Sequence, residues 1–486
     1  MATAIPENHA SFLVRELAAC SGGRVSAGSE DVRVTGVVTD SRAVKPGNLY
    51  VALRGERHDG HAFLTQVQAA GAAAAVVERV ERDTDAPTGL PLVIVPDGRR
   101  ALGEIARFHR TRWGKPVVAI TGSAGKTTTK ELTAAALRGT GQTVLSTVGN
   151  LNNDIGLPMT LFGLTDGHAI AVVEIGTGGP GEIAWLTHIA QPNVGVVTTV
   201  ALAHVARLGT LSEVADEKCA LLVGLPASGV AIYGADSGEL AARVSTFGAQ
   251  RRLGFGLAAN AQLRLLGARL RSDLSMEVSY QVAPETTARS LELGLYGQSA
   301  AVDALAALGV VIALQGTDVI AAAASGMRQL KPLPGRLRPL RAAQGALVID
   351  DTYNANPASM LASLGTLAEV AQLRGGRGIA VLGDMAELGA HSQLEHERIG
   401  RAVVEHGLSD VFFCGAEMAH AARAAQQEIR QRRAKGPRVT HLTDPLACIS
   451  ELTRVLDARA AVLVKGSRSS AMERITDVLA ESGGAP

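Results

Sequence analysis

The chain has 486 residues, 47% of them apolar and 19% charged, with 47 Lys and Arg against 46 Asp and Glu for a formal net charge of +1. That length exceeds the ~250–300 residues one hydrophobic core serves, so about three domains are expected. The composition excludes wholesale disorder, and the charge balance excludes a general electrostatic nucleic-acid binder while leaving room for a local anion pocket.

Taken in chain order, three blocks emerge. The first, residues 1–97, reads as a small α/β unit. It has an amphipathic helix near Ser11–Ala19, strands near Val32–Val38, Leu49–Leu53, Ala74–Val77 and Leu92–Val95, and a helix near His61–Ala70. The second, residues 98–332, opens with a helix over Ala101–Thr111, with Leu102, Ile105 and Ala106 at helical spacing. Apolar runs at Val117–Ile120, Ala169–Val173, Val194–Val200 and Val230–Tyr233 alternate with helical stretches. Such runs belong in a parallel sheet covered on both faces. Ser275–Val282 alternates with period two and predicts an antiparallel patch around residues 251–295. Two Ala-rich helices follow, then Lys331-Pro-Leu-Pro-Gly335, which reads as a linker. The third block, residues 333–486, alternates again, with strands at Leu347–Ile349, Ile379–Leu382, Val411–Phe413 and Ala461–Val464, and reads as a second doubly wound sheet.

Four cysteines, Cys20, Cys219, Cys414 and Cys448, lie far apart without a C-x-x-C pair. This fits a reducing compartment and argues against zinc or thioredoxin chemistry. No run reaches the ~18–20 uninterrupted apolar residues of a membrane span. The opening MATAIPENHASFLVREL lacks the basic start and apolar core of a signal peptide. A cytoplasmic protein with no membrane span is expected.

The sharpest signal is Val117-Val-Ala-Ile-Thr121-Gly-Ser-Ala-Gly-Lys126-Thr-Thr-Thr. An apolar strand runs into a glycine turn and a helix start. Backbone N–H groups of Gly122, Ser123, Ala124, Gly125 and Lys126 can wrap a phosphate, and the helix N-terminus favours its charge. Lys126 adds a point charge, and Thr127 offers a hydroxyl to Mg²⁺. Ile120 stands where the usual first glycine of a phosphate loop would be, leaving a shorter G-x-x-G-K-T-T.

This loop resembles that of the Mur ligases and their folylpolyglutamate synthetase relatives. The segments Ile349-Asp-Asp351-Thr-Tyr353-Asn354-Ala-Asn356-Pro357, Leu382-Gly-Asp384-Met-Ala-Glu387-Leu-Gly389 and Leu463-Val-Lys465-Gly-Ser467-Arg468 resemble Mur ligase signatures too. So do Asn150-Leu-Asn152-Asn153-Asp-Ile-Gly156 and Thr39-Asp-Ser41-Arg42. The resemblance spans all three blocks in order. It implies three α/β domains: a small UDP-substrate-binding N-terminal domain, a central P-loop-type parallel-sheet ATPase domain, and a Rossmann-like C-terminal domain that closes on ATP and binds the incoming dipeptide. It further implies the branch that joins D-alanyl-D-alanine to UDP-N-acetylmuramoyl-tripeptide, with ATP becoming ADP and phosphate through an acyl phosphate. A related ligase with another amino-acid donor and a nucleotide-binding paralogue without ligase activity are the competing readings.

The same resemblance implies the remaining roles. Glu174, at a strand end, joins Thr127 as an Mg²⁺ ligand. His204 serves a second Mg²⁺, and Lys218 corresponds to a lysine carbamylated in the family, giving Lys126, His204 and Lys218 as catalytic residues. Thr128, Asp303, Arg336, Asp351, Tyr353, Asn354 and Asn356 frame the nucleotide. Ser41 and Arg42 meet the UDP part, and Asn152 and Asn153 the muramoyl–peptide part. Lys465, Ser467 and Arg468 are expected to face the dipeptide carboxylate or the tripeptide tail. A monomer is implied. Some positions depart from the family pattern: Gly178 and Gly179 replace Asn and His, Ala220 replaces Glu, Ser299 replaces His, and Asp303 replaces an Asn that helps hold the base.

Overall fold

Each of the three blocks builds its own main sheet. The computed structural model describes residues 3–481 apart from 27–29, 56–57, 80–88, 203–204, 250, 343 and 433–435. The first sheet has the order Arg24–Val25, Leu92–Ile94, Ala74–Val77, Leu49–Val51, Val37–Val38, parallel except for the first pair. Two expectations need correcting here. Ser11–Leu13 is a strand, antiparallel to Arg33–Thr35, and the helix begins only at Val14 and ends at Ser21. Phe12 and Val14 share a strand spacing while Val14, Leu17 and Ala18 share a helical one, so periodicity alone cannot part the two elements. The expected strand Val32–Val38 is broken at Gly36 (φ +82°) into Arg33–Thr35 and Val37–Val38, which join different sheets. A Cβ at Gly36 would stand 2.8 Å from the Asn8 carbonyl oxygen, so the turn requires glycine.

The central sheet has nine strands. In order they are Arg289–Leu293, Met276–Val282, Leu263–Leu270, Arg251–Gly256, Val230–Gly234, Val194–Val197, Val117–Thr121, Ile170–Glu174 and Val144–Ser146. Val117–Thr121 lies between Val194–Val197 and Ile170–Glu174, parallel to both. All three are buried along their whole length, which is why they read as unbroken apolar runs. The antiparallel patch is narrower than residues 251–295. Arg251–Gly256 pairs in parallel with both neighbours, and only the three strands from Leu263 to Leu293 form the meander.

Helix Gln298–Gln315 is long and apolar enough to cross a membrane, but 67% of it is buried inside the protein. It packs along helix Lys126–Gly139 and several strands of the sheet, a setting that asks for apolar residues all round. The third sheet has the order Arg338–Arg341, Leu347–Asp351, Ala461–Lys465, Gly378–Gly383, Asp410–Cys414, Arg438–Leu442, with only the first pair antiparallel.

Apolar clusters bridge the blocks. Helix Gly98–Trp113, longer at both ends than the expected Ala101–Thr111, carries Leu102 and Ile105 into a cluster shared by the first and central sheets. A second cluster runs from helix Gln298–Gln315 to helix Pro357–Leu373 of the third block. The site forms above this second seam, where parallel strands of both sheets end.

Candidate active site

From Thr121 the chain turns through Gly122 (φ +147°) and Gly125 (φ +82°) into helix Lys126–Gly139. Both glycines are set by space. A Cβ on Gly122 would clash with the Thr198 hydroxyl, and one on Gly125 would meet Asp303 Oδ1 at 2.6 Å. The loop is tied down beforehand: the Ser123 N–H donates to the Thr199 carbonyl at 2.8 Å, and the Ser123 hydroxyl to the Ala201 carbonyl at 3.0 Å. A phosphate would therefore find a preformed turn at a helix N-terminus. Lys126 curls back onto the Gly122 carbonyl at 2.8 Å. Burial lowers its pKa; Glu174 opposes that shift and Arg336 adds to it.

Thr127 Oγ1 donates to Glu174 Oε2 at 2.7 Å, and the Asn152 amide donates to Oε1 at 2.7 Å. The Glu174 N–H in turn donates to the Thr147 hydroxyl at 3.0 Å. Thr127 and Glu174 thus present two buried oxygen donors side by side, which suits Mg²⁺. Among the described residues no cluster of three His, Cys, Asp or Glu side chains exists, so phosphate oxygens and water would complete such a shell. His204 lies outside the described residues.

Lys218 sits on helix Leu211–Val223, 1% exposed, and its Nζ has no hydrogen-bond partner among the described residues. Burial first, then the charge of Lys126, lower its pKa to about 7, against the pull of Glu217 and Glu182. The neutral amine is the form that reacts with CO₂, and a pKa near 7 leaves much of this lysine neutral at neutral pH. The neighbouring Glu217 accepts from the Gly181 N–H at 2.7 Å and the Ile183 N–H at 2.8 Å, capping helix Glu182–Ala190. Glu182 accepts from the Gly178 N–H at 2.7 Å. Loop 177–182 is therefore organised by Glu217, one residue before the lysine, although Ala220 lacks a carboxylate. Glu217 stands outside the residues the sequence pointed to; its one local signal is an acidic side chain adjacent to a candidate lysine. Thr147 stands outside them as well and carries no local signal.

The third block closes the site from the other side. Asp351 Oδ2 accepts from Lys465 Nζ at 2.6 Å and from the Ser363 hydroxyl at 2.6 Å, and Lys465 also reaches the Asn354 carbonyl at 3.0 Å. Lys465, expected to face the dipeptide carboxylate or the tripeptide tail, is 2% exposed, paired with Asp351, and borders the cleft. The Arg336 guanidinium stacks 4.1 Å above the Tyr353 ring. Asn356 caps helix Pro357–Leu373 through the Ser359 N–H at 2.9 Å, and its amide donates across the cleft to the Ser123 carbonyl at 3.3 Å.

One cleft of ≈ 880 Å³ is bordered by Ser123, Ala124, Gly125, Lys126, Thr127, Thr128, Asn152, Asn153, Glu174, Asp303, Arg336, Asp351, Tyr353, Asn354, Asn356 and Lys465. Within it Asn153 also accepts from the Gly156 N–H at 2.8 Å, starting helix Gly156–Leu161. Other expected residues do not border it. Arg42 is exposed and paired with Asp40 at 2.7 Å, with Ser41 beside it. Ser467 is buried against Ser469 and Ser470, and the exposed Arg468 turns to Glu473 at 3.7 Å.

Three family profiles match in order: the Mur ligase catalytic domain over residues 33–110, the Mur ligase middle domain over 120–311, and the Mur ligase glutamate ligase domain over 335–468. A UDP-N-acetylmuramoyl-tripeptide–D-alanyl-D-alanine ligase of Escherichia coli is 38% identical, with 93% of this chain and 95% of that protein covered. A Bacillus subtilis protein of the same name is 31% identical over 93% and 94%. Among solved structures, MurF from Acinetobacter baumannii superposes with a TM-score of 0.85 at 28% identity, covering 98% and 100%. MurF ligase from Thermotoga maritima in complex with ADP gives 0.80 at 27%, covering 92% and 97%.

Proposed function

The chain belongs to the Mur ligase family, and from that premise we propose that it is an ATP-dependent, ADP-forming ligase joining D-alanyl-D-alanine to UDP-N-acetylmuramoyl-tripeptide for peptidoglycan synthesis. The observation that carries the reading is the meeting, in one cleft, of the phosphate loop, the Thr127–Glu174 pair and the Arg336–Asn356 segment of the third block.

A carboxylate is a poor electrophile, so it must be activated. One oxygen of the tripeptide carboxylate attacks the γ-phosphorus of ATP and ADP leaves. The dipeptide amine then attacks the acyl phosphate carbonyl, a tetrahedral intermediate collapses, and phosphate departs with the former carboxylate oxygen. Positioning and neutralisation of phosphoryl charge carry most of such catalysis. Gly122–Thr128 cradle the β- and γ-phosphates and Lys126 leaves the Gly122 carbonyl for them. Arg336, stacked on Tyr353, approaches from the third block, whose closure keeps water from the acyl phosphate. Asn152 holds the Glu174 carboxylate in place. Mg²⁺, held by Thr127 and Glu174 and at a second site by His204 and carbamylated Lys218, would neutralise charge on the transferring phosphoryl group. Ser41 and Arg42 receive the UDP part, and the enzyme works as a cytoplasmic monomer.

The test is ADP release with UDP-N-acetylmuramoyl-tripeptide, with and without D-Ala-D-Ala, on wild type and Lys126→Ala. Release that needs both substrates and Lys126 is expected. Folded protein that binds ATP yet shows no dipeptide-dependent release would rule the assignment out.

A further inference from the structure

One carboxyl group sits where the cleft receives negative charge. Asp303, on helix Gln298–Gln315, is 7% exposed, and its Oδ1 presses on Gly125 of the phosphate loop, 2.6 Å from where a Cβ would stand. The charged groups on the elements around it that open into the cleft are Lys126 and Glu131 on the helix after the loop, Lys331 and Arg336 on the connection, and Glu369 on helix Pro357–Leu373. Lys130, on the same helix as Lys126, is turned away to the Thr147 carbonyl and Glu131. Lys126 is engaged with Gly122, and Arg336 is stacked on Tyr353 and acts on Asp303 through space. Burial pushes the Asp303 pKa up to about 7, while the nearby Thr129 hydroxyl and the charge of Arg336 pull it down.

Phosphates arriving on Gly122–Lys126 bring negative charge against the same glycine. In a cleft of low polarisability, an ionised carboxylate beside them raises the energy of both, whereas the neutral acid can donate a hydrogen bond. We infer that Asp303 takes up a proton when a nucleoside di- or triphosphate binds, so that this residue couples nucleotide affinity to pH. The inference rests on the nucleotide part of the function above and not on the identity of the amine. Its sign follows from linkage: binding raises the carboxyl pKa above that of the free protein. Affinity is therefore full below about 7 and falls as pH rises, by up to about tenfold per pH unit, until the bound carboxyl ionises too.

The experiment is calorimetry of Mg–ADP binding to the full chain at about pH 7–8, in buffers of different ionisation enthalpy, for wild type and Asp303→Asn. Wild type is expected to take up a large fraction of one proton more than Asp303→Asn, Lys126 and Lys218 contributing alike to both, with a Kd that weakens toward about pH 9 more steeply in wild type. A wild type whose binding enthalpy is independent of buffer overturns the inference without recourse to any variant. An Asp303→Asn protein with wild-type proton uptake also overturns it, because the proton then belongs to another group. Failure to bind Mg–ADP would remove both the inference and the function it rests on. Proton uptake at Asp303 in a preparation without D-Ala-D-Ala-dependent ADP release would sink only the amine assignment.

Discussion

At Lys218, stability and activity pull in opposite directions. The folded pKa of about 7 lies below the ordinary 10.5, so between those values the unfolded chain holds the extra proton and stability from this group rises with pH. Lys218→Met should remove that rise and, near neutral pH in CO₂-depleted buffer, stabilise the fold by about 1–3 kcal/mol, since it replaces a buried amine that has no partner among the described residues with an apolar chain. The same variant should lose about a hundredfold or more in dipeptide-dependent ADP release. Thermal melts across pH, set beside rates, check both; a Lys218→Met protein that is less stable yet active would contradict this account. Asn152 makes a second case. Its amide is spent on Glu174, so Asn152→Ala should raise the Mg²⁺ needed for half-maximal activity about 10–100-fold with the tripeptide KM unchanged. A raised KM at unchanged Mg²⁺ demand would return Asn152 to direct substrate contact. Residue types at the phosphate loop were legible because strand, glycines, lysine and threonine fall in one continuous stretch. The partners of Asn152, Lys218 and Lys465 were not, because each depends on what burial and distant chain bring beside it.

Helix ends do more in this molecule than terminate helices. Asn356 both caps Pro357–Leu373 and reaches the phosphate-loop carbonyl of Ser123. Asn356→Ala should cost about 1 kcal/mol through the lost cap. Asn356→Ser keeps a capping hydroxyl but is too short to cross the cleft. Equal stability with a raised ATP KM in the serine variant is the expected pattern; a wild-type ATP KM in both would confine Asn356 to the cap. Element types were readable where an unbroken apolar run met a glycine turn, as at Val117–Thr121, or where one period dominated, as in the alternating Met276–Val282. They were misread where two periods coincide, at Ser11–Leu13, and where one glycine redirects an apolar run, at Gly36.

Across the whole molecule, the number and order of the three α/β units could be read from local alternation of strand and helix. How they meet could not. The Lys465–Asp351 pair joins residues 114 apart in sequence, and the Asn356–Ser123 contact joins residues 233 apart. Because the nucleotide cleft is shared between the central and third blocks, nucleotide should hold them together. Amide exchange in residues 331–337 is predicted to slow about tenfold or more with a non-hydrolysable ATP analogue, and unchanged exchange would separate nucleotide binding from closure. The central claim is that the tripeptide carboxylate is activated by phosphorylation and captured by D-Ala-D-Ala. Its most direct test is turnover of UDP-N-acetylmuramoyl-tripeptide carrying ¹⁸O in the reacting carboxylate, with mass analysis of the released phosphate and of the peptide product. One labelled oxygen in phosphate for each D-alanyl-D-alanyl product is the predicted result; unlabelled phosphate accompanying that product would contradict the acyl phosphate route.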